Sequence, residues 1–427
     1  MLKAVNRYLL FQRNCSYKPI KRPNLIFPER KTEPKIEIPE EKKNRLFSQL
    51  KARILTSGPL TVADYMKEVL TNPLAGYYMN RDVFGSEGDF ITSPEVGQIF
   101  GELISVWCIN EWRKVGSPSP FQLVELGPGR GTLMADILKV LSHFKLNKNM
   151  TIHFVEISPH LSKLQAQRLC YNHKDVEDQL FYRHGETISG TKVYWYKRIE
   201  DVPEEFSIVL AHEFFDALPV HKLQKDENGL WKEILVDIDS EHSEKLRFVI
   251  SKSQTPISKI FKPNDDDTRV CLEYNLETER IVRHLADRFE RDGGFGLFMD
   301  YGHFGEKSDT FRAFKRHKLH DPLVEPGTAD LTADVDFKHI KMVAEEDRKL
   351  IAFGPIEQGT FLDNMEGPTR LQVLLDHSSP EARENIESGY KMLTEPSQMG
   401  ARFKFFSLFP SILRTHLEKF PISGFFK

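Results

Sequence analysis

The chain has 427 residues, enough to bury a large core and to build two or three domains. A formal net charge of −3 argues against a general nucleic-acid binder, which carries a basic excess or stripe. No run approaches about 18 consecutive apolar residues, so no bilayer-spanning helix is expected. Cys15, Cys108, Cys170 and Cys271 are scattered without a C-x-x-C pair. That disfavours a disulfide framework or a structural zinc site and fits a reducing compartment.

Residues 1–28 carry Lys3, Arg7, Arg13, Lys18, Lys21 and Arg22, and the first acidic residue is Glu29. This basic, acid-free composition is that of a mitochondrial transit peptide; a basic tail is the plain alternative. Residues 29–45, with Pro34, Pro39 and many charges, read as a flexible linker, and folding is expected from Leu46. A helical and loop region contributing to the site is expected over 46–120. Within it Thr61-Val-Ala-Asp64 has the form of a capping box, and Asn72-Pro73 ends the helix it opens. A polar loop over 80–93 carries Gly85, Gly88 and Asp89. Pro94 then starts a helix with Val96, Ile99, Phe100, Leu103, Ile104 and Trp107 at helical spacing, a core face by that pattern.

From Phe121 strands and helices alternate: strand 121–126, helix 132–142, strand 151–157, helix 160–169, then strands 206–211 and 296–299. Such alternation predicts an α/β, Rossmann-like sheet, largely parallel, with helices on both faces. The expected core is 121–303, with an antiparallel insertion around 220–290 suggested by the β-rich patches in 231–250. Residues 304–427 are expected to complete the substrate site. Asp265-Asp266-Asp267 follows Pro263-Asn264 and reads as a solvated turn, not a metal site.

Strand 121–126 runs into Glu125-Leu-Gly127-Pro-Gly129-Arg-Gly131-Thr132. A dinucleotide fold wants G-x-G-x-x-G, whose third glycine would fall at Thr132. The observed E-x-G-x-G-x-G is instead the form found in S-adenosylmethionine (SAM) methyltransferases, where glycines let the backbone approach the cofactor. Ligands of open α/β sheets lie beyond the carboxyl ends of strands. Glu156, ending the second strand, is placed to bridge the ribose hydroxyls. A later strand ends in His212-Glu213-Phe214-Phe215-Asp216, and another in Met299-Asp300-Tyr301. Paired carboxylates at Glu213 and Asp216 suit a guanidinium, which stays protonated in water and needs its charge localised before one nitrogen attacks. Phe214 and Phe215 have faces suited to a sulfonium or guanidinium, or are simply core, with Glu213 a helix cap.

Several runs occur in one order. They are Gly88–Glu95, Gln98–Glu102, Glu125–Thr132, Glu213–Pro219, Asp300–Gly302 and Asp330–Phe337. Together they resemble the MidA family over residues 46–425, with His212 departing from the Asn expected in many bacterial relatives. The resemblance implies a SAM-dependent Rossmann-like methyltransferase domain with an additional, largely helical portion. It further implies a type II protein-arginine methyltransferase that symmetrically dimethylates the iron–sulfur subunit 2 of NADH dehydrogenase in the mitochondrial matrix, in complex I assembly. On the matching positions it implies cofactor contacts at Glu125, Gly127, Gly129, Gly131, Thr132 and Glu156. Catalytic roles fall to Glu213 and Asp216, and acceptor contacts to Asp89, Ser93, Glu95, Phe214 and Asp300. A small-molecule methyltransferase and a non-enzymatic SAM-binding assembly chaperone share the glycine loop and remain open. A nucleic-acid enzyme would more often show an Asn-Pro-Pro-Tyr loop with a basic channel.

Overall fold

The computed structural model describes residues 40–79, 92–263 and 267–426. The basic leader, Asp89 with most of its polar loop, and Asp265 and Asp266 lie outside the described residues. Helix α1 (Glu40–Ser57) begins inside the segment expected as linker. After Pro39 that run contains no glycine or proline, and Leu46, Leu50 and Ile54, spaced by four, are all buried. Strand β1 (Leu60–Thr61) leads into α2 (Val62–Thr71), whose N-cap Thr61 accepts from the Asp64 N–H and whose C-cap is Asn72. The single helix expected from Pro94 is two, α3 (Ser93–Val96) and α4 (Gln98–Lys114). Gly97 between them is extended, which breaks the helical hydrogen-bond ladder.

The alternating region gives β2 (Phe121–Leu126), α5 (Thr132–His143), β3 (Met150–Val155) and α6 (Pro159–Leu169). Strands β4 (Asn172–Asp175), β5 (Phe181–Glu186), β6 (Lys192–Tyr196) and β7 (Ser207–His212) follow. The insertion holds β8 (His221–Lys225), β9 (Trp231–Ile238), β10 (Leu246–Ile250), α7 (Pro256–Ile260) and β11 (Cys271–Tyr274). The chain returns through α8 (Leu276–Asp292) and β12 (Gly294–His303). Beyond it come β13 (Arg312–Lys315), β14 (Lys318–His320), β15 (Asp330–Thr332), β16 (Val335–Asp336), α9 (Phe337–Glu345) and β17 (Leu350–Glu357). Helices α10 (Gln358–Asn364), α11 (Gly367–Asp376) and α12 (Pro380–Thr394), strand β18 (Phe403–Pro410) and α13 (Arg414–Lys419) finish the chain.

The main sheet runs β17-β18-β12-β7-β2-β3-β6-β5-β4. Its centre, β12 through β6, is parallel, and both margins are antiparallel. The order reverses at β2, where β3 lies on one side and β7 on the other, so a crevice opens beyond their carboxyl ends. Buried side chains of α4, α5, α6, α10 and α12 cover one face, while α8 and α9 cover the other. The fold is therefore α/β with helices on both faces, as the alternation implies. The sheet nevertheless draws β17 and β18 from beyond residue 303, outside the span expected for the core.

The insertion is antiparallel: β9 pairs with β1, β8 and β10, and β8 with β11. Its inner face packs on α1 and α2 through Leu50, Met66, Val69 and Val236. Asp267 is not a solvated turn residue. Its side chain is 5 % exposed and clasped by Arg269, which also reaches Asp336 at 2.8 Å.

Candidate active site

Gly127, Gly129 and Gly131 all adopt positive φ, at 61°, 54° and 73°. Residues with a Cβ rarely take that region, so the alternating glycines follow from the loop's shape. A Cβ at Gly127 would lie 2.7 Å from Cδ2 of Phe214, bringing the glycine loop against the loop after β7. The Thr132 hydroxyl accepts from Arg168 of α6. Glu125 is 2 % exposed, its Oε2 has no partner, and burial pushes its carboxyl up to about 8.

Glu156 follows β3, where the backbone leaves the sheet. Oε1 accepts from the Ser158 N–H at 2.7 Å and Oε2 from Nε2 of Gln165 at 3.0 Å. Burial raises its carboxyl to about 7 against these donors. A carboxylate has about four lone-pair positions, so both oxygens keep capacity for hydroxyl donors. Sequence reasoning missed Gln165, which also donates to Gly129 O at 2.7 Å and accepts from Trp195 Nε1 at 2.9 Å. One amide thus ties the glycine loop to Glu156. The available signal was a polar residue in line with Leu161, Ala166 and Leu169 on the buried face of α6.

Glu213 takes a left-handed φ of 49°, an unusual backbone for a non-glycine residue and one that clusters at functional sites. The turn is fixed by Asp300. Its Oδ2 accepts from the N–H groups of Phe214, Phe215 and Asp216 at 3.1, 2.9 and 3.3 Å, and its Oδ1 from that of Tyr301 at 2.9 Å. Main-chain donors therefore occupy both oxygens of Asp300. Asp216 accepts from the Thr332 hydroxyl at 2.8 Å through Oδ2, while Oδ1 has no partner. Burial raises Asp216 to about 6, against the pull of Thr332 and Arg312. Glu213 is driven well above the usual carboxylate range by burial first, then by Asp216, Glu95 and Asp330.

From the N-terminal region, the Ser93 N–H donates to the Glu213 carboxylate. Glu95 lies 3.5 Å from Arg130 of the glycine loop. The Tyr78 hydroxyl donates to Asp330 at 2.8 Å, and its carbonyl accepts from Ser158 at 2.7 Å. The chain thus leaves the described residues after Met79 and returns at Thr92, with both ends at this site. Phe214 is half-buried between Gly127 and Phe215, whereas Phe215 is core against Phe298, 4.9 Å between centroids. A separate concavity of about 840 Å³, lined by His153, Phe181, Tyr194 and Tyr196, contains none of these carboxylates.

The arrangement joins a glycine cradle, an orphaned buried carboxylate and Glu156, with lone pairs to spare, to a second group of carboxylates one loop away. That donor set fits SAM, whose sulfonium is cationic and whose ribose donates two hydroxyls. Residues 103–356 match the family model described as an S-adenosyl-L-methionine-dependent methyltransferase. The chain is 59 % identical over 423 residues to the Drosophila melanogaster protein named "Protein arginine methyltransferase NDUFAF7 homolog, mitochondrial", covering 96 % of this chain and 97 % of that protein. It is 49 % identical over 372 residues to the Homo sapiens "Protein arginine methyltransferase NDUFAF7, mitochondrial", covering 86 % and 83 % of the two chains. In fold it is similar to a Burkholderia thailandensis protein solved with S-adenosyl-homocysteine: TM-score 0.71, 23 % identity, 88 % of this chain and 95 % of that one. The chain belongs to the MidA-like family of SAM-dependent methyltransferases.

Proposed function

We propose that the enzyme methylates arginine side chains of a protein in the mitochondrial matrix, acting symmetrically on the iron–sulfur subunit 2 of NADH dehydrogenase during complex I assembly. The relatives' names support an arginine acceptor and a mitochondrial setting. The observation that carries the chemistry is Glu213: its side chain is 14 % exposed, its Oε1 is unpartnered, and Asp216, Glu95 and Asp330 surround it. The unpartnered Oε1 of Glu213 and Oδ1 of Asp216, set among neighbouring carboxyls, favour a cationic ligand, and a guanidinium supplies both the charge and paired N–H donors.

SAM supplies an electrophilic methyl group when bound. Glu125, Gly127, Gly129, Gly131, Glu156 and the amide end of Thr132 hold it in this reading, with Gln165 fixing the relation between loop and ribose carboxylate. Glu213 and Asp216 grip the guanidinium, localise its positive charge and leave one nitrogen electron-rich. Phe214 separates the two half-sites and keeps water from the reacting line. Asp300 positions Glu213 and Asp216 through the backbone, and Ser93 orients Glu213. Residues 46–120 and 304–427 supply walls of the acceptor side, and residues 1–28 direct import.

Methyl-labelled SAM offered with the purified protein to matrix proteins and, separately, to a metabolite extract tests this reading. Label is expected on protein arginine. Label confined to small molecules would assign the enzyme a metabolite acceptor, and SAM binding without transfer would favour the assembly-chaperone alternative.

A further inference from the structure

His212 ends β7 immediately before Glu213 and is 8 % exposed. Its ring lies parallel to that of Phe403 within 4° at 6.0 Å and edge-on to Phe100 at 5.3 Å. These contacts fix the ring plane, as apolar packing would for any core side chain. The nitrogen is another matter. Nε2 of His212 lies 3.6 Å from Oε1 of Glu213, and neither atom has a hydrogen-bond partner. Buried polar atoms are nearly always paired, so two orphans facing each other beside a candidate reacting group call for an explanation.

We propose that His212 is the proton partner of Glu213, a positioning residue whose Nε2 accepts a hydrogen bond from the Glu213 carboxyl once that group has taken the proton given up when an arginine nitrogen is methylated. This rests on the arginine reading above. In the balanced step the nitrogen lone pair forms the N–C bond as the carbon–sulfur bond breaks, its electrons passing to sulfur. One N–H proton goes to the Glu213 carboxylate and is shared through Oε1 with Nε2 of His212. It leaves to solvent with product release. A few ångströms of closure are not needed: a contraction of under about 1 Å makes Oε1···Nε2 a normal hydrogen bond.

The surroundings suit that role. Burial drives His212 down to about 3, so its imidazole is neutral at physiological pH and suited to accept a hydrogen bond from a protonated Glu213, which keeps the proton. The groups facing Glu213 are Glu95 from α3, Asp216 in the same loop, Asp300 and Tyr301 from β12, and Asp330 from β15. Among the described residues Arg312 acts on Asp216 and Tyr301, and Arg130 reaches Glu95 at 3.5 Å.

His212→Ala should lower turnover at saturating substrates roughly 10²-fold, the scale of one acid–base group, while SAM affinity by calorimetry stays at the wild-type value. Added imidazole should restore part of the rate, more as pH rises and more of it is unprotonated. His212→Phe keeps the aromatic packing and should be slow without rescue. Wild-type turnover in His212→Phe, or a loss in His212→Ala that imidazole leaves untouched, would overturn the proposal. A measurement free of any acceptor guards against variants that fail to fold. The ¹⁵N signal of Nε2 of His212 should shift when Glu213 is changed to Gln, and an unchanged signal also overturns the pairing. Coupling seen by ¹⁵N together with no arginine methylation would defeat the arginine reading and leave the proton pair standing.

Discussion

Glu213 shows how a residue's chemistry is set by what surrounds it. Its position after a core strand was readable from sequence, but its left-handed backbone and the Asp300 brace were not, because three N–H groups converge on a side chain from a distant strand. The amide variant Glu213→Gln removes charge and nearly preserves shape. It should cut turnover by roughly 10²-fold or more at saturating acceptor while calorimetric SAM affinity is unchanged. Lost SAM affinity with normal turnover at high SAM would move the residue to the cofactor half-site. Glu125 offers a test by pH. Burial raises its folded-state value to about 8, above the roughly 4.3 of an unfolded glutamate. Between those values the folded state binds the extra proton, so stability is fully present below the lower value and falls as pH rises towards the higher. Thermal melts of the cofactor-free protein should therefore show Glu125→Gln gaining stability over wild type at pH 8.5 and little at pH 4. An equal difference at both values would show that burial does not hold this carboxyl protonated.

At the scale of elements, the glycine loop and the loop after β7 constrain one another. Gly127→Ala places a methyl group 2.7 Å from Phe214 at a positive φ, so it should both cost about 1–2 kcal/mol in denaturant unfolding and displace Phe214. A variant as stable as wild type would show that the loops adjust independently. The helices are joined differently. Arg370 of α11 donates from Nε and Nη2 to both oxygens of Glu102 on α4, at 2.7 and 3.0 Å, and both residues are buried. Glu102→Gln should destabilise the fold by about 3 kcal/mol, because a buried guanidinium loses its counter-charge; a change within error would mean the pair is hydrated. Which elements were legible follows their chemistry. Apolar strands β2, β3 and β7 announced themselves, and the Thr61 cap marked α2. Strand β4 is Asn-His-Lys-Asp, exposed at every residue, and no burial pattern could reveal it. Strands β17 and β18 are paired with each other across a register shift and join a sheet whose other members lie far earlier in the chain. Gln165 escaped sequence reasoning because its three partners come from three separate segments.

The whole molecule is a doubly covered sheet whose reversal at β2 sets the site, with an antiparallel insertion and a C-terminal part folded back onto it. The glycine motif and the order of strand ends made the proposed cofactor half of the site legible as a sequence pattern. The proposed acceptor half was legible only as a list of carboxylates, since its geometry depends on Tyr78, Ser93, Asp300, Asp330 and Thr332 meeting from distant segments. The proposed reaction is methyl transfer to an arginine nitrogen, and that is the claim to test most directly. Wild-type protein and Glu213→Gln should each be incubated with methyl-labelled SAM and the iron–sulfur subunit 2 of NADH dehydrogenase, and the label mapped by mass spectrometry. The account predicts label on arginine nitrogens of that subunit, distributed as symmetric dimethylarginine, with wild type and near background with the variant. Label on another residue type, or an equal yield from both proteins, would contradict it.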